Sequence, residues 1–215
     1  MLLINTRKKL YNRIVLKYQN LHIMEKKIIL ASSSKRRSYL LEKLGLNFIG
    51  MKHRLSVETR FDEKTISIEC FVSDLALKKA ESLQDDYPDS FIIGSDTVIY
   101  FNGKTFGKPK YFRDAVKTLS LLSGKIHYVY TGACLINKNI GVYKTVFDKT
   151  LVAIRPLSKE DIVKYLNKHS PMDKAGSYGI QDEGGIIESY LGSFENVLGL
   201  CIQKLIPILR ESRLI

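Results

Sequence analysis

Three serines followed directly by three cations, Ser32-Ser33-Ser34-Lys35-Arg36-Arg37, stand behind the apolar run Ile28-Ile29-Leu30-Ala31. A serine-rich loop that enters a helix gathers unpaired backbone N–H groups at the positive end of the helix dipole, an arrangement that receives phosphate. Two guanidinium groups add planar, two-pronged donors that match phosphate oxygens. Cations at a helix start oppose the dipole, so the pattern predicts an anion that compensates them.

Four other polar islands interrupt apolar runs. In Gly94-Ser95-Asp96-Thr97, a carboxylate lies between Phe91-Ile92-Ile93 and Val98-Ile99-Tyr100-Phe101, where burial without a partner is costly. The glycine and serine before it predict a strand that ends at Asp96 and opens into a cleft. A metal ligand or general base is the functional reading of Asp96, and a carboxylate held by backbone at a strand bend is the alternative. Gly107-Lys108-Pro109 can set a lysine on a phosphate as a point charge, although such a turn also occurs on ordinary surfaces. Gly103-Lys104-Thr105 is not a P-loop, since no glycine stands five residues before Gly103. Asp173 through Gln181 mixes charges, two glycines, a tyrosine and an amide. Gln181 suits the donor–acceptor edge of a pyrimidine, and Tyr178 suits packing against a ring; an ordinary ordered loop is the alternative. Lys79 has charged neighbours on a helix, where a solvated face is the ordinary expectation. Glu58, the fourth island with Lys79, lies in a segment without clear periodicity.

These islands need strands and helices to position them, and the pattern supplies an alternation of both. A strand at about 27–31 leads into a helix at about 34–44, with Leu40, Leu41 and Leu44 on one face and Gly45 as its stop. A helix at about 68–83 precedes the strand 91–93, which continues beyond Asp96 as 98–101, and Asn102-Gly103 is a two-residue hairpin signal. A helix at about 111–122 is followed by two long strands, near 126–136 and 142–154. Ser158-Lys159-Glu160-Asp161 resembles a capping box for a helix that stops before Pro171. The connector 171–185 is long enough to suggest a functional loop. The tail from Val197 to Leu209 reads as an apolar helix interrupted at Pro207. Mixed order of this kind predicts an α/β fold with a partly antiparallel sheet.

The chain can bury one substantial core, and no apolar run approaches the roughly 20 residues of a membrane span. Cys70, Cys134 and Cys201 form no metal or C-x-x-C pattern and read as reduced, buried thiols of a cytoplasmic protein. The net charge is +12. Residues 1–23 contribute Arg7, Lys8, Lys9, Arg13 and Lys17 and no acid, which leaves about +7 for the rest. Residues 1–25 are expected to be a basic extension, and 26–215 a single domain. An extension or a start upstream of Met24, an organelle-targeting segment and a nucleic-acid arm all remain open for the leader. A basic nucleic-acid-binding module gains from a pI near 9.5, but the charge is spread out and no aromatic-interleaved stacking motif accompanies it.

Taken together, the islands resemble the Maf family of nucleoside triphosphate pyrophosphatases from about Ile28 to Leu200. The carrying stretches are Leu30-Ala31-Ser32 with Arg36-Arg37, Gly94-Ser95-Asp96-Thr97, Gly107-Lys108-Pro109, Leu122 to His127, Asp173-Lys174-Ala175-Gly176, Tyr178-Gly179-Ile180-Gln181, and Gly192-Ser193-Phe194 with Asn196 to Leu200. Thr97 and the Tyr-Gly-Ile-Gln ending are similar to the branch acting on dTTP and UTP, rather than its sibling acting on methylated GTP. Lys35 replaces a usual proline, Cys201 replaces another, and Glu58 matches the family glutamate only with one inserted residue.

The resemblance implies a long mixed twisted sheet, Maf/ITPase-like, bent around a cleft between two lobes. It also implies cleavage between the α- and β-phosphates with a divalent metal, Mg²⁺ or Mn²⁺. Asp96 and Glu58 are then the catalytic carboxylates and metal ligands, with Lys79 and Lys108 as catalytic cations. Ser32 and Arg36 join them in contacting phosphate, and Arg37, Thr97 and Gln181 read the base. A homodimer is implied by analogy. The family's association with septum inhibition leaves a non-catalytic regulator of division as an alternative, but every polar island is retained.

Overall fold

The computed structural model describes residues 27–55 and 61–215. The expected extension 1–25 and Glu58 lie outside the described residues.

Seven strands form one mixed sheet. Strand β1 (Ile28–Leu30) pairs in parallel with β2 (Ile49–Gly50) and with β3 (Phe91–Phe101). On its other edge β3 runs antiparallel to β5 (Ile126–Asn137), followed by β6 (Val142–Ile154) and β7 (Ile187–Leu191). The short β4 (Lys104–Phe106) folds back on the end of β3. Its turn is Asn102-Gly103, with φ of 49° and 73°, as a two-residue hairpin requires. Along the outer edge of β3, β1 pairing ends at Ile93 and β4 pairing begins at Ile99. Residues 94–98 therefore present an unpaired strand edge between two paired segments.

Among the described residues six α-helices accompany the sheet: α1 (Lys35–Lys43), α2 (Ile68–Gln84), α3 (Phe112–Leu122), α4 (Lys159–His169), α5 (Phe194–Leu198) and α6 (Ile202–Glu211). The Ser67 hydroxyl caps α2 by accepting from Cys70 N–H at 3.2 Å, and Ser158 with Asp161 forms the expected capping box of α4. One face of the sheet packs Leu30 and Ile93 against Leu41, Leu205 and Leu209. The opposite face packs Ile29, Ile92 and Ile136 against Ala76, Ala80 and Leu83 of α2. A further cluster joins Ile99 and Ile154 to Leu119, Leu122 and Leu166.

Two local expectations are corrected. β3 runs unbroken through Asp96, as the continuation of the strand from 91–93 into 98–101 predicts, and does not stop at the strand end that the flanking glycine, serine and threonine suggest. The opening therefore lies at the sheet edge rather than at a strand terminus. The tail does not break at Pro207. It breaks at Gly199, which turns at φ +122° between α5 and α6, while Pro207 sits on the exposed side of α6, where one backbone hydrogen bond is lost to solvent.

Gly94 and Gly132 explain how α2 comes to lie on the sheet. A Cβ on Gly94 would collide with the Ala76 carbonyl and lie 2.9 Å from Cys134 Sγ; one on Gly132 would collide with the Val72 carbonyl and lie 2.8 Å from Ser73 N. The helix backbone rests on bare sheet at both points. Gly132→Ala is expected to destabilise the protein by about 2–3 kcal/mol through overpacking. A denaturant midpoint equal to that of the parent protein would contradict the close-approach account.

Candidate active site

Asp96, Gly94 and Val98 share the sheet face covered by α2, while Ser95 and Thr97 share the other, because side chains alternate along a strand. The unpaired edge exposes both faces to one cleft, which is lined from α1 by Arg36 and Arg37, from α2 by Lys79, and from the following loops by Lys108, Asp173 and Gln181.

Lys79 is 5% and Asp96 6% exposed, and Lys79 Nζ donates to Asp96 Oδ1. The solvated face expected for Lys79 is corrected: the glycine contacts bring α2 so close that the lysine reaches under the cleft rather than into solvent. A buried carboxylate without such a partner is strongly unfavourable. The contact uses Oδ1 and leaves Oδ2 as the remaining acceptor of the carboxylate.

Arg37 binds the opposite wall together. Its Nε donates to the Gly199 carbonyl at 2.7 Å, Nη1 to Ser32 Oγ at 3.2 Å and Nη2 to Thr97 Oγ1 at 3.2 Å. Ser95 Oγ reaches the same carbonyl at 3.1 Å. Ser32 and Arg37 thus meet Thr97, 60 residues beyond Arg37, at the break between α5 and α6. The Ser32 hydroxyl also accepts from Ser34 N–H at 3.1 Å. Helix α1 carries no acid in its first turn and no side-chain cap, so its entry is basic, as the sequence predicts.

Arg36 crosses the cleft. Nη1 donates to Asp173 Oδ2 at 2.5 Å, and Nη2 to the Asp173 carbonyl at 2.8 Å. Burial pushes the Asp173 carboxyl up, but Arg36 and then Lys174 outweigh it and hold the group below its ordinary value. Lys174 is buried and ties the end of α4 to this loop through the carbonyls of His169 and Ser170, at 2.6 and 2.8 Å. The loop is joined to the Lys108 turn, since Gly176 N–H donates to the Gly107 carbonyl at 3.0 Å. Desolvation by the cleft wall, then the cations Arg37 and Lys79, lower the Lys108 ammonium below its usual value. An anion beside it would reverse that shift.

Gln181 is exposed at the cleft, whereas Tyr178 is buried, with its hydroxyl 2.6 Å from His127 Nε2. The Arg36–Asp173 strap, the Gly199 carbonyl and the His127–Tyr178 pair were not anticipated. Each joins residues distant in sequence, and only the basic pattern after Ser34 and the unusual length of loop 171–185 pointed towards the first.

Among the described residues no group of three or more His, Cys, Asp or Glu could hold a metal ion. The oxygen chemistry nevertheless fits a hard cation: Mg²⁺ commonly takes one or two carboxylates and completes its shell with substrate phosphates and water, and Asp96 Oδ2 supplies such a ligand. Also among the described residues, no helix is long and apolar enough to cross a membrane.

The fold and the cleft define an α/β protein with a cationic cleft at the open edge of a mixed sheet. A model of the Maf-like protein family matches residues 27–212, and the chain belongs to that family. It is 42% identical over 191 residues to the dTTP/UTP pyrophosphatase of Clostridium perfringens (strain ATCC 13124), covering 86% of this chain and 96% of that protein. The dTTP/UTP pyrophosphatase of Aquifex aeolicus is 40% identical over 190 residues, covering 88% of this chain and 97% of its own. That of Dictyoglomus turgidum is 36% identical over 189 residues, covering 87% and 97%.

Burial lowers the pKa of His127 from 6.5 to about 4. The unfolded chain therefore binds a proton that the folded one refuses between these values. The stability contribution is complete above pH 6.5 and is lost as pH falls through the window to 4, by up to about 3 kcal/mol. Urea midpoints of parent and His127→Gln should converge across that window, and a constant difference from pH 7 to 4 would contradict a neutral buried imidazole.

Proposed function

We propose that the chain hydrolyses dTTP and UTP to the monophosphate and pyrophosphate. The observation that carries this reading is the convergence of Arg36, Arg37, Lys79 and Lys108 on one cleft beside the buried Asp96 carboxylate. The names of the three relatives point to the same substrates.

A bound triphosphate brings about four negative charges, and more charge gathers on the leaving pyrophosphate as the bond breaks. Arg36 and the Ser32 loop at the α1 entry receive phosphate oxygens from one wall, and Lys108 from the other. Lys79 holds Asp96 in place, so that Oδ2 accepts a proton from, or orients, the attacking water. A divalent cation, Mg²⁺ or Mn²⁺, when bound supplies charge neutralisation and acidifies water; Asp96 would hold it, with Glu58 as the second carboxylate. Thr97 and Arg37 form the wall next to the base, and Gln181 reads its edge.

The same reading takes 26–215 as one catalytic domain, in accord with the extent of the family match. The three cysteines are free thiols, which suits a reducing cytoplasm; Cys134 and Cys201 are buried as expected, whereas Cys70, at the start of α2, is exposed. A symmetric dimer would use the cross-strand row of exposed Tyr128, half-buried Leu151 and exposed Leu191 on β5, β6 and β7. A non-catalytic regulator of division would have no need for a lysine buried against a carboxylate in a phosphate cleft.

Pyrophosphate release from a nucleotide panel with Mg²⁺ or Mn²⁺ tests the reaction. Asp96→Asn is expected to lower kcat by about 10²–10³ and also to lower stability, since it removes a buried ionic partner of Lys79. Circular dichroism and melting are therefore recorded to show that the assayed variant is folded. Full activity of that variant, or full activity in excess chelator, would remove Asp96 or the metal from the mechanism. A second comparison separates base from phosphate. Gln181→Ala should lower kcat/KM for dTTP and UTP by roughly 5- to 150-fold and flatten the substrate ranking, whereas Lys108→Ala should depress all triphosphates together.

A further inference from the structure

The residue after Gln181 is held more firmly than Gln181 itself. Asp182 Oδ2 accepts from the Tyr165 hydroxyl and from Gly179 N–H at 3.1 Å. The same N–H also lies 3.0 Å from the Tyr165 oxygen, and Tyr165 is a buried residue of α4. Fixed in this way, Asp182 turns its other oxygen to Gln181, accepting from Nε2 at 3.3 Å. An ionised carboxylate has lone pairs and no donor, so the amide beside it must present its NH₂ and not its carbonyl oxygen. The direction of an amide that would otherwise turn freely at the cleft is thereby set by its neighbour.

We propose that Asp182 is a positioning residue that selects among pyrimidines by fixing the direction of the Gln181 amide, an inference that rests on the reading of the cleft as a pyrimidine nucleotide site. Uracil and thymine carry a donor at N3 between two carbonyl acceptors. Cytosine carries a bare acceptor at N3 beside an amino donor. With its trans N–H given to Asp182, the Gln181 amide keeps its carbonyl oxygen to accept from N3–H and its cis N–H to donate to an adjoining carbonyl. This is the pattern of uracil and thymine. Pairing with cytosine requires the opposite direction, which would place the amide oxygen against the Asp182 carboxylate, acceptor against acceptor. The discrimination thus comes from a repulsive contact built behind the reading residue as well as from an attractive one in front of it.

The test is kcat/KM for UTP, dTTP and CTP, with Mg²⁺, in the parent protein, Asp182→Asn, Asp182→Glu and Gln181→Ala, alongside thermal melting of each. Asparagine offers either a donor or an acceptor, so the Gln181 amide can turn; the UTP:CTP ratio is expected to fall by about tenfold, with CTP gaining relative to UTP. Glutamate offers only acceptors and should keep the ratio near that of the parent. If Asp182→Asn does not fold, Asp182→Ser replaces it, since a hydroxyl likewise donates or accepts. An unchanged ratio in the Asn or Ser variant, with Gln181→Ala flattening the ranking, overturns the role of Asp182 and leaves the base-reading role of Gln181 standing. A ratio unchanged in Gln181→Ala as well overturns both. A ratio that falls as far in Asp182→Glu as in Asp182→Asn shows a packing effect and overturns the proposal.

Discussion

The contact of helix α2 with bare sheet at Gly94 and Gly132 governs the rest of the site. Without side chains at these two positions the helix lies nearer the strands than a Cβ would permit, and only from there does Lys79 reach Asp96 beneath the cleft. A buried ion pair is weak grounds for stability, since desolvating both charges offsets much of their attraction. Its consequence here is positional. The carboxylate is kept in one orientation, with one oxygen committed and one left over, in surroundings of low polarity where its field acts most strongly. The glycines, the helix position and the carboxylate form one causal chain.

The second condition is the interrupted edge of β3. Had β1 or β4 been longer by a few residues, the edge between Ile93 and Ile99 would be closed by backbone pairing and no ligand could approach Asp96 and Thr97 together. A sheet edge left open in this manner is normally a liability for unwanted strand pairing. Here α1, the Lys108 turn and the loop after Pro171 surround it. Arg37 joins the α1 side to the break after α5 through the Gly199 carbonyl, so the same glycine that ends a helix also anchors a wall of the cleft.

These relations mark what the sequence could and could not disclose. The serine loop entering a basic helix, the Asn-Gly hairpin, the Ser158 cap and the two long strands are local patterns, and each was readable because its physics lies within a few residues. Lys79 was read as solvated because its burial depends on glycines in two distant strands. The apolar runs on both sides of Asp96 carry the strand through it, but Gly94 resembles a strand break by itself; its bare backbone instead admits a helix. Pro207 outweighs Gly199 as a local interrupter, and what holds the Gly199 carbonyl is Arg37, 162 residues away. β2 and β7, short and largely exposed, carry too little apolar patterning to announce themselves.

The two acid–base contacts of the cleft differ in what it takes to open them. The side chain of Asp173 is 61% exposed and that of Arg36 22%, so their strap is screened by solvent and exchanges partners at a cost of about 1 kcal/mol or less. Lys79 and Asp96 are sealed, and separating them would strand a charge in the interior. An arriving polyanion can therefore take Arg36 from Asp173, because it offers a guanidinium the same two-pronged geometry with more charge, while the Lys79–Asp96 pair stays intact beneath it. The cleft in this way combines a wall that yields to ligand with a floor that does not. That division suits a site which must admit and release a highly charged molecule while keeping one carboxylate oxygen in place.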